Sequence, residues 1–151
     1  MTKNNRVGSG MAVKMTIGLD LGDRHSYFYS LDSSGENIES GRVQTTRSAL
    51  EKRFRSFEAA RVVIEAGTHS PWVSRLLASL GHEVIVANPR KVRLISDNEG
   101  KDDPVDAELL ARLGRVDVRL LSPIEHRGEA AQADLAVIRA RTRWWGHGRS
   151  W

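Results

Sequence analysis

The chain contains no cysteine, and none of its apolar runs approaches the ~20 residues that a membrane-spanning helix needs. The absence of cysteine excludes disulfide bonds and thiolate metal sites. The N-terminus is basic but lacks the apolar segment of a signal peptide. Neither a Walker phosphate loop nor a Gly-x-Gly-x-x-Gly pattern occurs. We therefore expect a cytoplasmic protein that does not enter a membrane.

The composition is that of an ordinary globular domain with a basic surplus. The 151 residues are 40% hydrophobic and 28% charged, which is enough for one domain with its own core. The formal net charge is +4 and the sequence pI is about 9.8. This surplus suits a polyanionic partner such as DNA without identifying one.

Hydrophobic periodicity predicts an α/β fold with a mixed sheet flanked by helices. An antiparallel meander of three strands is expected first, because Ser33-Ser34-Gly35 is a turn signal between β-prone segments. Two further buried strands alternate with helices. The predicted strands are 15–20, 25–32, 36–45, 61–66 and 82–87. The predicted helices are 47–58, 70–80 with Ser70 as N-cap, a short basic helix from Pro89, 104–114 and about 125–143.

Two carboxylates stand at the ends of buried strands. Asp20 ends the run Met-Thr-Ile-Gly-Leu-Asp, and Glu65 ends Arg-Val-Val-Ile-Glu. Ligands of α/β sheets bind at the carboxyl ends of the strands, which favours a functional role for both residues. Asp20 can instead be a turn residue that bonds its own loop, and Glu65 can pair with a nearby arginine.

Two further carboxylates, Asp103 and Asp106, lie three residues apart at a predicted helix start. With Pro104 at the first helical position, Asp103 fits the N-cap and Asp106 the third helical position of a capping box. That interpretation needs no function, but it is compatible with one, since residues three apart share a helix face. Four carboxylates at one point repel each other unless cations hold them, and pairs of Mg²⁺ ions act in phosphodiester chemistry.

The remaining polar side chains give weaker signals. His25, His69 and His82 are too scattered to predict a metal cluster. Basic side chains that are candidates for phosphate contacts, or otherwise a solvated surface, are Arg90, Lys91, Arg93 and Lys101.

Four segments in order resemble the N-terminal domain of the DEDD insertion-sequence transposases. They are Ile-Gly-Leu-Asp-Leu-Gly-Asp (17–23), Ile-Glu-Ala-Gly-Thr (64–68), Gly-His-Glu-Val-Ile-Val-Ala-Asn-Pro-Arg-Lys-Val (81–92) and Lys-x-Asp-x-x-Asp-Ala-x-x-Leu-Ala-Arg-Leu (101–113). The resemblance implies a ribonuclease-H-type, RuvC-like fold, and a catalytic, metal-binding tetrad at Asp20, Glu65, Asp103 and Asp106. It also implies two Mg²⁺ ions, DNA as the substrate of recombination, and a structured bridge RNA as guide. Asp102 and Pro104 depart from the family, which usually has a small polar and a basic residue there.

The resemblance also divides the chain into parts. Residues 1–14 are expected to be a disordered tail, 15–122 the RuvC-like catalytic domain, and 123–143 the start of a connecting helix. The family continues into a second domain that carries a nucleophilic serine. Here three of the four tryptophans fall within 144–151, which predicts an aberrant, truncated end. Ser150 is not expected to replace that serine, so the chain alone is expected not to transpose DNA.

The sequence is also compatible with other functions. A nucleic-acid-binding remnant without catalysis and a stand-alone RuvC-type junction nuclease are the main alternatives. A sugar-kinase or chaperone ATPase fold also has a Gly-x-Asp-x-Gly loop, but it needs a second Gly-rich phosphate loop and an adenosine-binding segment, and neither occurs in this sequence. The protein is a candidate for self-association, or for pairing with full-length transposase through the 125–143 helix.

Overall fold

The computed structural model describes residues 14–97 and 106–126, which form a five-stranded mixed sheet with helices on both faces. The strands are β1 (Met15–Asp20), β2 (His25–Asp32), β3 (Asn37–Gln44), β4 (Arg61–Glu65) and β5 (Glu83–Ala87). The helices are α1 (Arg47–Arg55), α2 (Ser70–Ser79), α3 (Pro89–Asp97) and α4 (Ala107–Val116), followed by a 3-10 turn (Val118–Leu121). The predicted α/β class is confirmed, and so is the predicted order of elements as far as α4.

The sheet has the order β3-β2-β1-β4-β5. The first three strands form the predicted antiparallel meander, and β4 and β5 run parallel to β1. Short hairpin connections suffice for the antiparallel half, whereas each parallel pairing requires a crossover helix. The carboxyl ends of β1, β4 and β5 therefore lie at one edge of the sheet.

Side chains that alternate along the strands contribute to two hydrophobic cores, one on each face of the sheet. Ile17, Leu19 and Ile64 pack with α1 and α2 on one face, where Phe54 is fully buried. Val63 packs with Leu110 of α4 on the other face. His82 is buried in the first core with both ring nitrogens satisfied: Nδ1 accepts from the Ala60 N–H at 3.1 Å, and Nε2 lies 2.9 Å from the Phe54 carbonyl oxygen. His82 is therefore a structural histidine.

The close approach of α4 to the sheet depends on two glycines. A Cβ atom on Gly18 of β1 would lie 1.8 Å from the Ala107 carbonyl oxygen, and one on Gly114 of α4 would lie 2.3 Å from a methyl carbon of Val63. Because neither glycine has a side chain, α4 lies directly on β1 and β4. The N-terminus of α4 is thereby brought next to the carboxyl end of β1.

Two predicted helix starts are wrong. Helix α4 begins at Ala107 rather than at 104, so Asp106 is its N-cap and not its third residue. Helix α2 has His69 at the N-cap position. Ser70 does not cap because its Oγ bonds back to Gly67, accepting from the N–H and donating to the carbonyl oxygen, both at 2.9 Å. Helix α1 also ends at Arg55, three residues earlier than predicted.

Several predictions lie outside the described residues. One of these predictions concerns the tail, residues 1–13. The others concern the segment 127–151 and four residues before α4, namely Lys101, Asp102, Asp103 and Pro104. Of the predicted connecting helix, the described residues up to His126 are not helical. The Ile124 N–H instead donates to the Val86 carbonyl oxygen at 2.9 Å. The domain boundaries stay predictions.

Candidate metal and nucleic-acid site

Asp20 and Glu65 end two neighbouring parallel strands. The β1–β4 register pairs Leu19 with Ile64, so Asp20 and Glu65 occupy the next position on each strand. They share a face of the sheet, because Leu19 and Ile64 both point into the opposite core. The prediction that these two carboxylates meet at the carboxyl edge agrees with the register.

The environment of both carboxylates disfavours their charged forms. Partial burial raises the pKa of Asp20, and the nearby carboxylate of Asp106 raises it further. Partial burial also raises the pKa of Glu65, and Asp20 adds to this effect, while the guanidinium of Arg93 partly opposes it. The sequence left open that Glu65 pairs with a nearby arginine. Arg93 is such an arginine, yet its guanidinium and the Glu65 carboxylate form no ion pair within 4.0 Å.

Asp106 approaches Asp20 from the N-terminus of α4, which lies on the same face of the sheet. Its side chain accepts a hydrogen bond from the Leu109 N–H at 2.8 Å and caps α4. The same residue is close enough to Asp20 for mutual repulsion. Asp106 therefore both caps α4 and acts electrostatically on Asp20, and these two properties are compatible, as predicted from the sequence.

The fourth predicted ligand, Asp103, lies outside the described residues, as does Lys101. Within 14–97 and 106–126, no group of three or more acidic or histidine side chains is arranged to hold a metal ion. The described part of the chain thus presents two strand-end carboxylates and a neighbouring helix cap. The catalytic and metal-binding roles of the four residues stay predictions.

The chemistry of these carboxylates nevertheless fits a divalent cation. Carboxylate oxygens are the ligands that Mg²⁺ prefers. No hydrogen-bond donor among the described residues contacts the side chains of Asp20 and Glu65. Since their pKa values are raised by burial and by like charge, a cation at this edge would relieve both effects.

A cavity of about 280 Å³ opens beside Asp20 and Glu65 and is lined by the two loops that follow β1 and β4. A chain of hydrogen bonds joins these loops. Trp72 Nε1–H donates to His69 Nδ1 at 3.1 Å, which leaves the neutral His69 ring with its proton on Nε2, 3.1 Å from Asp23 Oδ1. Sequence reasoning did not assign His69 and Asp23 to the site.

The basic side chains predicted to contact phosphate lie on α3, directly after β5. Arg90, Lys91 and Arg93 are exposed, and Asn88 Oδ1 accepts from the Arg90 N–H at the start of the helix. Arg93 is the member of this group whose charge acts on Glu65. One flank of the carboxylates is therefore cationic, which suits a polyanion crossing the edge of the sheet.

The order β3-β2-β1-β4-β5, with an antiparallel meander, two parallel strands and crossover helices, is the ribonuclease-H-type fold that was expected from the sequence. The family model of the DEDD transposases of the IS110 type, described as "Transposase", matches residues 17–144. The chain therefore belongs to the DEDD transposase family. A comparison with curated proteins found no match.

Solved structures with a similar fold include two of RuvC. Thermus thermophilus RuvC in complex with a Holliday junction substrate is 13% identical over 64% of this chain and 89% of RuvC, with a TM-score of 0.47. A second Thermus thermophilus RuvC structure is 16% identical over 76% of this chain and 84% of RuvC, with a TM-score of 0.44. A ROK family protein from Streptococcus pneumoniae in complex with sucrose is 13% identical over 59% of this chain and 39% of its own, with a TM-score of 0.42.

Among the described residues, no helix has both the length and the apolar composition that crossing a membrane requires.

Proposed function

We propose that this domain carries out metal-dependent phosphodiester transfer on DNA, as part of transposition, with Asp20, Glu65, Asp103 and Asp106 as its acidic residues. The observation that carries the proposal is the adjacency of Asp20 and Glu65 at the ends of β1 and β4, with Asp106 electrostatically coupled to Asp20. Membership of the transposase family supports the same conclusion.

Each residue has a definite part in the proposal. The four carboxylates would hold two Mg²⁺ ions, which supply positive charge to a phosphate group and activate an attacking oxygen. Asp20 and Glu65 stand on rigid strands and fix the position of the site. Asp106 belongs to a helix whose distance from the strand is set by Gly18. Arg90, Lys91 and Arg93, together with Lys101, would contact the DNA backbone.

The experiment compares DNA cutting and DNA binding in one set of samples. Wild-type protein, Asp20→Asn and Asp32→Asn are incubated with supercoiled plasmid and Mg²⁺, with and without a chelator. Asp32 is the matched control, because it pairs with Met15 at the opposite end of β1 from Asp20 and its carboxylate is engaged in its own turn. We expect metal-dependent strand breaks, without the strand joining of complete transposition, with wild type and Asp32→Asn, and no strand breaks with Asp20→Asn. We expect Asp20→Asn to bind DNA at least as tightly as wild type, since one repulsive charge is removed.

Two results separate the alternatives. DNA binding without any metal-dependent break in wild type would indicate a non-catalytic binding domain. Unaided cutting of four-way DNA in preference to linear DNA would indicate a junction nuclease.

Three further parts of the proposal follow from the family. The protein acts in the cytoplasm, uses a structured guide RNA, and associates with itself or with a longer transposase. Light scattering after size-exclusion chromatography tests self-association, and a monodisperse monomer over a wide concentration range would contradict that part.

A further inference from the structure

A row of three side chains crosses the sheet beside the carboxylates. The β1–β2 register pairs Asp20 with Tyr27, and the β2–β3 register pairs Tyr27 with Arg42. Directly opposed residues of antiparallel strands share a face, so these three lie on the α4 side of the sheet. The alternate residue Phe28 points into the opposite core.

Tyr27 and Arg42 are left uncovered by α4. The helix covers the adjacent row, where Gly18 meets Ala107 and the Arg112 guanidinium lies 5.9 Å from the centre of the Tyr29 ring. Tyr27, one row nearer the carboxyl edge, is 52% exposed. Arg42 is also exposed, and no described residue forms an ion pair or side-chain hydrogen bond with it.

These two side chains have the chemistry of a nucleic-acid surface. An exposed aromatic ring provides a stacking platform for a base, and an arginine provides a phosphate contact. The basic side chains of α3 flank the carboxylates from the side of β5. Tyr27 and Arg42 flank them from the side of β3. A strand that crosses Asp20 and Glu65 would meet cations on both sides.

We propose that Tyr27 and Arg42 bind an unpaired DNA strand next to the reacting phosphate, with Tyr27 stacking on a base and Arg42 contacting the backbone. The proposal rests on the proposed function of the carboxylates and adds the direction in which the strand leaves the site, across β2 and β3. Both are positioning residues, because neither belongs to the acidic group.

The test is fluorescence anisotropy with a short fluorescein-labelled single-stranded DNA, in Ca²⁺ buffer that limits cutting. Tyr27→Ala is compared with Tyr27→Phe, and Arg42→Gln with Lys52→Gln, an exposed residue of α1 on the other side of the sheet. We expect Tyr27→Ala to weaken binding about 5- to 150-fold, and Tyr27→Phe to stay within about twofold of wild type, because the ring is retained. Arg42→Gln should reduce the slope of log affinity against log salt by about 0.7, and Lys52→Gln should not.

The outcomes distinguish this inference from the proposed function. Thermal unfolding and Mg²⁺ calorimetry on the same variants should match wild type. If Tyr27→Ala and Arg42→Gln both bind single-stranded DNA as tightly as wild type does, the inference is overturned and the proposed carboxylate site is unaffected. Tighter binding of an RNA of the same sequence, dependent on Tyr27, overturns DNA as the occupant. A wild type that binds no DNA overturns this inference and DNA recognition together, whatever its Mg²⁺ binding.

Discussion

Asp106 combines a structural and an electrostatic property that two substitutions can separate. Its side chain caps α4 through the Leu109 N–H, and its charge acts on Asp20. Asparagine caps helices about as well as aspartate, whereas alanine does not. Asp106→Asn should therefore keep the stability of wild type and lose Mg²⁺ affinity. Asp106→Ala should lose Mg²⁺ affinity and also about 1 kcal/mol of unfolding free energy, measured by urea denaturation.

If Asp106→Asn binds Mg²⁺ like wild type, Asp106 is a cap alone and is not a metal ligand.

The raised pKa values of Asp20 and Glu65 predict how stability depends on pH. Because each folded-state pKa lies above its ordinary value, folding favours the protonated forms. Their contribution to stability falls as pH rises from the ordinary carboxyl range through the raised values. Without metal near neutral pH, Asp20→Asn should therefore melt at a slightly higher temperature than wild type. The difference should shrink as the pH is lowered through this window.

Asp32 provides a control of opposite sign. Hydrogen bonds, chiefly from the Ser34 hydroxyl and then from the Glu36 N–H, lower the pKa of Asp32. The stability it contributes is present above the ordinary carboxyl range and is lost as pH falls through the lowered pKa. Asp32→Asn should melt no higher than wild type near neutral pH.

A lower melting temperature for Asp20→Asn than for wild type near neutral pH would contradict the electrostatic description of the site.

At the scale of elements, the contact between Gly18 and α4 determines where Asp106 lies. An alanine at Gly18 would place its Cβ within 1.8 Å of the Ala107 carbonyl oxygen, so α4 must move. We expect Gly18→Ala to lose about 1–3 kcal/mol of unfolding free energy and to bind Mg²⁺ more weakly. Gly67→Ala lies beside the cavity but meets nothing within 4 Å, and it should change neither quantity substantially.

Equal Mg²⁺ affinity in folded Gly18→Ala and wild type would show that the position of α4 does not matter to the site.

The chain of hydrogen bonds through His69 should hold the two cavity loops together. Trp72→Phe removes the N–H that donates to His69 Nδ1 and keeps an aromatic ring in its place. His69→Ala removes the whole connection between Trp72 and Asp23. Amide hydrogen exchange in 21–24 and 66–69 should accelerate about 2- to 10-fold in His69→Ala and less in Trp72→Phe. Unchanged exchange in both variants would contradict a role in fixing the loops.

Local sequence signals were sufficient to predict most strands and helices. They failed where a tertiary contact determines the position at which a helix begins. The turn at Ser33-Ser34-Gly35 and the buried runs ending in Asp20 and Glu65 predicted the meander and two parallel strands. The predicted start of α4 was wrong because Asp103 and Asp106 are equally good N-cap residues in the sequence. The close packing of Ala107 on Gly18 favours the later start, and periodicity does not reveal that contact.

The candidate site shows the same division. Asp20 and Glu65 were predictable because strand ends of a parallel pair must meet at one edge. His69 was not, because its partner Asp23 is 46 residues away and no spacing rule links them. Tyr27 and Arg42 gained significance only from the strand register, which places them in one row with Asp20.

The whole molecule combines a transposase-family sequence, a mixed sheet and an acidic edge flanked by basic residues. We propose that the acidic edge binds a divalent metal. The basic surplus and the exposed side chains of α3 and β3 suit the proposed DNA contacts, but they would be present equally in a binding domain without catalysis. Metal binding is therefore the property that distinguishes a catalytic domain from a domain that only binds DNA.

The decisive measurement is calorimetric titration of Mg²⁺ into three proteins: wild type, the double variant Asp20→Asn with Glu65→Gln, and Asp32→Asn. We expect saturable binding by wild type and by Asp32→Asn, and none by the double variant in its folded state. Folded wild-type protein that takes up no Mg²⁺, or a double variant that binds it as tightly as wild type does, would show that the acidic edge is not a metal site.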